Sequence, residues 1–217
     1  MKKYFADTKI QAIGALLIIG TAILLGLTKW KLPPKNVNLS PRSSVSNQNV
    51  NTSNPAFPGR LPDDQILGQQ AHVKTSKGKI VFSLDGTQSP IAVSNLITLA
   101  KAKYYDDILW HRVEAWVVQA GDPQTKDPGV DSSLWGRGGP GYTIPDEPVA
   151  GEYKTGVVAM AKTDAPNSAG SQFFILKADT PLPKTYQILG QVTAGMDVVT
   201  ALVVADKIES ISIEPAS

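Results

Sequence analysis

A mainly β domain, folded as a closed or nearly closed antiparallel barrel with two helices behind one N-terminal membrane-spanning helix, is the architecture this sequence predicts. Three observations predict it. Residues 71–213 break into many short runs of β-branched and aromatic residues, with helical spacing at only two places, which favours an antiparallel barrel over a parallel α/β sheet. Residues 10–28 are nineteen consecutive uncharged and mostly apolar positions. Between these regions the chain turns to Pro, Asn, Ser and Gln.

In chain order, residues 1–9 are a short basic tail with Lys2, Lys3 and Lys9. A helix over residues 10–28 would span about 28 Å at roughly 1.5 Å per residue, which matches a bilayer's hydrocarbon core. A buried core helix would show a polar face, and none interrupts this run. A cleaved signal peptide would end in small residues, whereas here Lys29-Trp30-Lys31 follows, so a retained signal anchor is expected. Basic residues flank both ends, with Lys29, Lys31, Lys35 and Arg42 on the far side, so charge does not choose the orientation. Residues 29–64, poor in large apolar side chains, are expected to form a flexible linker, because such a stretch cannot bury enough surface to offset its ordering entropy.

Charge divides the chain in the same place. Residues 1–60 hold eight Lys or Arg against one acid, whereas residues 61–217 hold thirteen against eighteen, giving about +7 and −5. An acidic domain lacks the electrostatic footprint that phosphate backbones require, so nucleic acid is not expected as a partner. There is no Cys, which excludes disulfides, thiolate catalysis and Cys-based zinc sites. With His72 and His111 the only imidazoles, no metal or cofactor is expected.

The folded domain, residues 65–217, opens with a hairpin signal: Ala71–Thr75, a turn at Ser76-Lys77-Gly78, then Lys79–Leu84 in alternation. His72 on the first strand is expected to be solvated. Ser89-Pro90 offers an N-cap with Pro at the first helical position, and apolar residues recur at helical spacing to Tyr104. Strands are expected over 111–119, 142–144, 156–161, 172–176, 187–192 and 208–213, with a second short helix over 196–203. The loop 123–135, with Asp127 and Asp131, is expected to be solvated surface; tuning of substrate choice or weak cation binding is its alternative.

Two runs stand apart from these patterns. His111-Arg112, Trp116 and Gln119-Ala120-Gly121-Asp122 embed polar residues in an apolar segment. Met160-Ala161 and Asn167-Ser168-Ala169-Gly170-Ser171-Gln172-Phe173-Phe174-Ile175 pass from a turn into a strand. In order and in most spacings these resemble the signature of the cyclophilins, the peptidyl-prolyl cis/trans isomerases, and bacterial members in particular. The resemblance runs from about Ala71 to Ile213. It implies an eight-stranded barrel capped by two helices, a groove on the outer face, and proline-containing polypeptides as partners of a monomer without cofactor.

An X-Pro bond turns over a barrier of about 18–20 kcal/mol between isomers that differ by about 0.5–1 kcal/mol. No nucleophile is needed. A catalyst has to stabilise the twisted amide, with a permanent donor, a polar anchor for the peptide and an apolar grip on the ring. By resemblance Arg112 is the principal catalytic residue, and Gln119 bonds the substrate backbone and orients it. Trp116, Val117, Phe174 and Leu182 form the proline pocket; Ala161 and Gln172 contribute contacts, and Tyr186 places its hydroxyl at the rim. Taken singly, Arg112 reads as an ion-pair partner of Glu114, and Trp116 and Phe174 as core; the joint pattern outweighs those readings.

The Arg112 to Trp116 interval is one residue shorter than the family's usual spacing, with Ala115 where Pro-Gly is usual. That difference keeps open an alternative, a proline-peptide binding module or chaperone of the same fold with little turnover. Gly136-Arg137-Gly138-Gly139-Pro140-Gly141 fits the dinucleotide pattern formally, yet it follows no apolar strand and leads into no helix, so a nucleotide site is rejected. A hydrolase built from Asp146-Glu147 with Ser171 or His111 is rejected too, since Ser171 lacks a nucleophile elbow; by resemblance the acidic pair is structural. Together these expectations describe a membrane-anchored isomerase with an extracytoplasmic domain, acting on unfolded or exported chains.

Overall fold

The computed structural model describes residues 56, 57 and 59–216; the apolar run 10–28 and most of the expected linker lie outside the described residues. Among the described residues no helix is long and apolar enough to cross a membrane. The described residues begin inside the stretch expected to be linker. Leu61 packs on the core and its N–H donates to Ser94 Oγ at 2.9 Å, and Asp63–Ile66 forms a short helix, α1, that buries Ile66. Two apolar side chains in a polar stretch suffice to dock it.

Eight strands follow, all paired antiparallel: β1 (Gln69–Thr75), β2 (Gly78–Ser83), β3 (Arg112–Val113), β4 (Val117–Ala120), β5 (Val157–Met160), β6 (Phe173–Leu176), β7 (Ile188–Ala194) and β8 (Ile208–Pro215). Their order across the sheet is β3-β4-β6-β5-β7-β2-β1-β8. The sheet is a half-barrel, which corrects the expected closed barrel. No ladder joins β3 to β8; the chain meets the start of β8 only at residues 108–110, just before the two-residue β3. A single bridge, Leu109 with Lys207, spans that seam, helped by Trp110 N–H to Asp206 O and Ile208 N–H to Ile108 O, both 2.8 Å.

Two other expectations are corrected. The run 111–119 is not one strand: it folds back at Ala115-Trp116, so that Arg112 pairs with Gln119 and Val113 with Val118. Tyr142–Ile144 is not a strand either, and keeps only the bridge from Ile144 to Ala169. One added strand and one lost leave the total at eight.

The helix α2 (Pro90–Lys101) buries Val93, Leu96, Ile97 and Leu99, recurring at the helical period, and packs on β8. Ser89 stands at its N-cap position but makes no side-chain cap. Glu147 does so from a distant loop: its two carboxylate oxygens accept the N–H groups of Ile91 and Ala92 at 2.8 and 2.9 Å. This satisfies two orphan donors and places a negative charge at the positive helix end. The helix α3 (Met196–Ala201) packs against β2. His72 is not solvated: its side chain is 13% exposed and Nδ1 lies 3.0 Å from Glu214 Oε1 on β8.

Strand alternation sorts the apolar residues onto two faces. Val118, Ala120, Val158, Met160, Phe173 and Ile175 point inward to the main core with Trp110 and Phe82. Their neighbours Val117, Val157, Ala159, Phe174 and Leu176 point outward into a second cluster, joined by Trp116, Ala161, Leu182 and Tyr186. Apolar residues on both faces explain why β5 and β6 are buried throughout. The outer cluster floors the groove.

Candidate active site

The narrow β3–β4 hairpin sets Arg112 and Gln119 opposite each other on the outer face. Arg112 Nη1 donates to Gln119 Oε1 at 3.3 Å, Gln119 Nε2 to Gln172 Oε1 at 2.9 Å, and Gln172 Nε2 to the carbonyl of Gly138 at 2.8 Å. This row of polar groups fixes the direction of each amide. Arg112 is held twice more: Nε donates to Glu114 Oε1 at 2.7 Å, and the guanidinium lies 5.1 Å over the Trp116 ring. The neighbouring guanidinium donates to the Glu114 carboxyl and holds its pKa below the usual range. Both side chains of that pair are more than 40% exposed, so its worth to stability is at most about 1 kcal/mol. Its effect is on direction.

Beside the guanidinium lies a cavity of about 240 Å³, lined by Arg112, Trp116, Val117, Gln119, Ala161, Lys162, Phe174, Leu182 and Tyr186. The Tyr186 ring meets Phe174 edge-on at 5.6 Å, and Tyr153 Oη locks its backbone by donating to Tyr186 O at 2.9 Å and accepting from Tyr186 N–H at 3.0 Å. A volume below the roughly 300–1,000 Å³ of drug-sized sites fits a small ring and its peptide bond. Gln172, expected with these residues, lines instead a second cavity of about 410 Å³, together with Gly136–Pro140, Tyr142, Thr143 and the segment 161–163. Lys162, which borders both cavities, was not among the expected site residues. Nothing local marks it; its place next to Ala161 at the end of β5 was the available signal.

The loop behind the site is pinned at its root. Asp122, fully buried, accepts N–H groups from Gln124 at 2.8 Å, Gly136 at 2.6 Å and Gly138 at 3.1 Å. At its exposed tips Asp127 and Asp131 cap their own loop, each accepting an N–H two residues on at 2.8 Å. Gly136–Gly141 opens no helix, in agreement with the rejected nucleotide site. Ser171 is buried and donates to Gly121 O at 2.7 Å, so it is no nucleophile. Asp146 accepts from Lys162 Nζ and Glu147 caps α2, which gives the acidic pair its structural role.

An antiparallel half-barrel with a ring-sized apolar cavity, a fixed guanidinium at its mouth and a row of amides alongside is equipped to bind an extended peptide and act on its conformation. The family profile described as "Cyclophilin type peptidyl-prolyl cis-trans isomerase/CLD" matches residues 70–214. A peptidyl-prolyl cis-trans isomerase of Helicobacter pylori is 35% identical over 147 residues, covering 65% of this chain and 84% of that protein. The isomerase ppi1 of Schizosaccharomyces pombe is 37% identical over 132 residues, 58% of this chain and 79% of the relative. Isomerase cyp15 of Rhizopus delemar is 33% identical over 175 residues, and the chain spans only 26% of its length. Among solved structures, a Cryptosporidium parvum cyclophilin type isomerase, determined in the presence of the dipeptide Ala-Pro, superposes with a TM-score of 0.59 at 26% identity over 67% of this chain and 98% of that one. The chain belongs to the cyclophilin-type peptidyl-prolyl cis-trans isomerase family.

Proposed function

We propose that this isomerase turns X-Pro bonds in unfolded or exported polypeptides by stabilising the twisted amide, with Arg112 as the donor and the cavity under Trp116 and Phe174 as the grip on the proline ring. The observation that carries this reading is the fixed guanidinium at the mouth of that apolar cavity, with Gln119 opposite. Twisting ends amide resonance and leaves a basic prolyl nitrogen. The Arg112 N–H groups not used by Glu114 and Gln119 are free to donate to it without proton transfer, since a guanidinium stays charged at any working pH. Gln119 anchors the peptide backbone, while Val117, Leu182 and Tyr186 exclude water and strengthen the interaction. The Ala-Pro dipeptide of the Cryptosporidium relative supports a proline-containing ligand.

The reading extends to an anchor at residues 10–28, with the domain, as a monomer, on the extracytoplasmic side of a bacterial membrane. Its support is the length and apolarity of that run. Turnover of a short X-Pro peptide by the full chain and by Arg112→Ala tests the chemistry. A loss of roughly 100-fold in kcat/KM with unchanged thermal unfolding is expected, the scale for removing a transition-state donor. A folded parent without turnover would instead leave a proline-peptide binding module.

A further inference from the structure

The two cavities share Gln119, Ala161 and Lys162 and so form one continuous groove. Its charged lining residues are Arg112, Arg137 and Lys162, and among the described residues no Asp or Glu lines either cavity. This is a basic groove on a domain whose residues 61–217 hold eighteen acids against thirteen bases. A random draw from that surface would place carboxylates there.

Lys162 stands at the junction. Its side chain is only 6% exposed, and Nζ donates to Asp146 Oδ2 at 2.6 Å, its single protein acceptor among the described residues. An ammonium carries three donors and Asp146 takes one, and on a residue that lines both cavities a buried charge with unfilled donors gains by receiving an acceptor. Asp146 is also committed elsewhere, since the same oxygen accepts Asn167 N–H at 2.9 Å. Across the larger cavity Arg137 is exposed, and among the described residues it has no carboxylate within 4.0 Å. Its guanidinium is available for a bidentate contact.

We propose that Lys162 and Arg137 form a carboxylate-recognising subsite beside the proline pocket, so that the isomerase selects X-Pro segments carrying Asp or Glu within one or two residues of the proline. The proposal rests on the assignment of the smaller cavity to the proline ring. Direct contact with Arg137 and Lys162 supplies the selectivity; the field of Arg112, paired with Glu114, adds little.

The test uses the full chain and capped peptides identical except for Glu, Gln or Lys at each of the two positions on either side of proline. Cis/trans exchange is followed by NMR, and affinity by calorimetry in parallel. Glu is expected to exceed Gln by about fivefold at one side of the proline in low salt, with Lys below both, the scale of one partly exposed charge contact. The preference shrinks as salt rises. Arg137→Gln, at an exposed residue with no ion-pair partner among the described residues, is expected to remove most of it, and Lys162→Gln the remainder. Equal affinity and turnover for Glu and Gln at all positions, or a preference that survives in both variants, overturns the subsite. Turnover that persists in Arg112→Ala overturns the donor assignment and leaves the Glu/Gln comparison standing.

Discussion

Arg112 and Gln119 face each other as a cross-strand pair in a hairpin whose two-residue bend at Ala115-Trp116 replaces a longer connection, and Arg112 Nη1 donates to Gln119 Oε1 at 3.3 Å. The short bend has a second effect. It brings Glu114 to Arg112 Nε at 2.7 Å and Trp116 under the guanidinium at 5.1 Å. The shortened interval therefore holds the guanidinium on three sides at the cavity mouth.

Glu114 thus positions Arg112, and its removal is expected to lower kcat by about threefold to fivefold while leaving KM nearly unchanged, the kinetic equivalent of an exposed pair worth up to about 1 kcal/mol. Glu114→Gln keeps an acceptor for Nε and is expected to retain more of the rate than Glu114→Ala. Equal loss in both variants would mean that charge, not direction, is what Glu114 supplies. A faster Glu114→Gln enzyme would mean that the carboxylate damps the donor.

Glu147 caps α2 from 55 residues away in sequence through two charge-assisted bonds, and it also accepts from Gln187 Nε2 at 3.2 Å. Glu147→Ala is expected to cost about 2–3 kcal/mol in urea unfolding, the combined scale of a lost cap and of bonds to a charged acceptor. Ser89→Ala, which removes no capping bond, is expected to cost much less. Similar losses from the two would show that Ser89 shares the cap.

That contrast shows where the sequence was legible. The β1–β2 hairpin, both expected helices and the outward side chains of β4 and β6 follow from local periodicity, and every expected pocket residue except Gln172 lines one cavity with Arg112. The break at Ala115-Trp116 was illegible because it uses no Gly, Pro or Asn, and the apolar alternation continues through it. Tyr142–Ile144 has strand-forming residues, but Pro140 and Pro145 flank it and only one residue finds a partner. The burial of Lys162, the cap by Glu147 and the three bonds to Asp122 depend on partners fourteen or more residues away, apart from the local bond to Gln124, and no window of sequence contains them.

Gly121 follows β4 with φ +102°, and a Cβ there would come within 2.7 Å of Gln172 Cα as well as against the Ser171 carbonyl. Both neighbours are backbone of the segment leading into β6, so neither can turn aside. Gly121→Ala is expected to yield little soluble protein or to unfold at least about 3 kcal/mol earlier, since conformational strain and overpacking act together. Near-native stability in chemical denaturation would mean that the two segments separate at little cost.

His111 precedes Arg112, and both of its ring nitrogens are shut off from solvent. Burial lowers its pKa; the nearby Asp122 charge opposes that shift, and the Arg112 charge reinforces it. The folded state therefore holds this imidazole neutral, while the unfolded chain takes up a proton near the ordinary value of about 6.5. Below that value the unfolded state binds more protons, so stability is full above about pH 6.5 and falls as the pH drops toward the depressed folded pKa. Carboxylates held low by their partners, such as Asp179 and Glu152, withdraw stability only in more acidic solution, below about pH 4.5. Unfolding free energies between pH 7.5 and 5 are thus expected to slope downward in the parent and to flatten in His111→Gln. Turnover per folded molecule is expected to hold through the upper part of that window, because the native imidazole beside Arg112 stays neutral until the pH reaches its depressed folded pKa. Parallel stability curves in the two proteins would show that His111 acquires its proton elsewhere in the pH range.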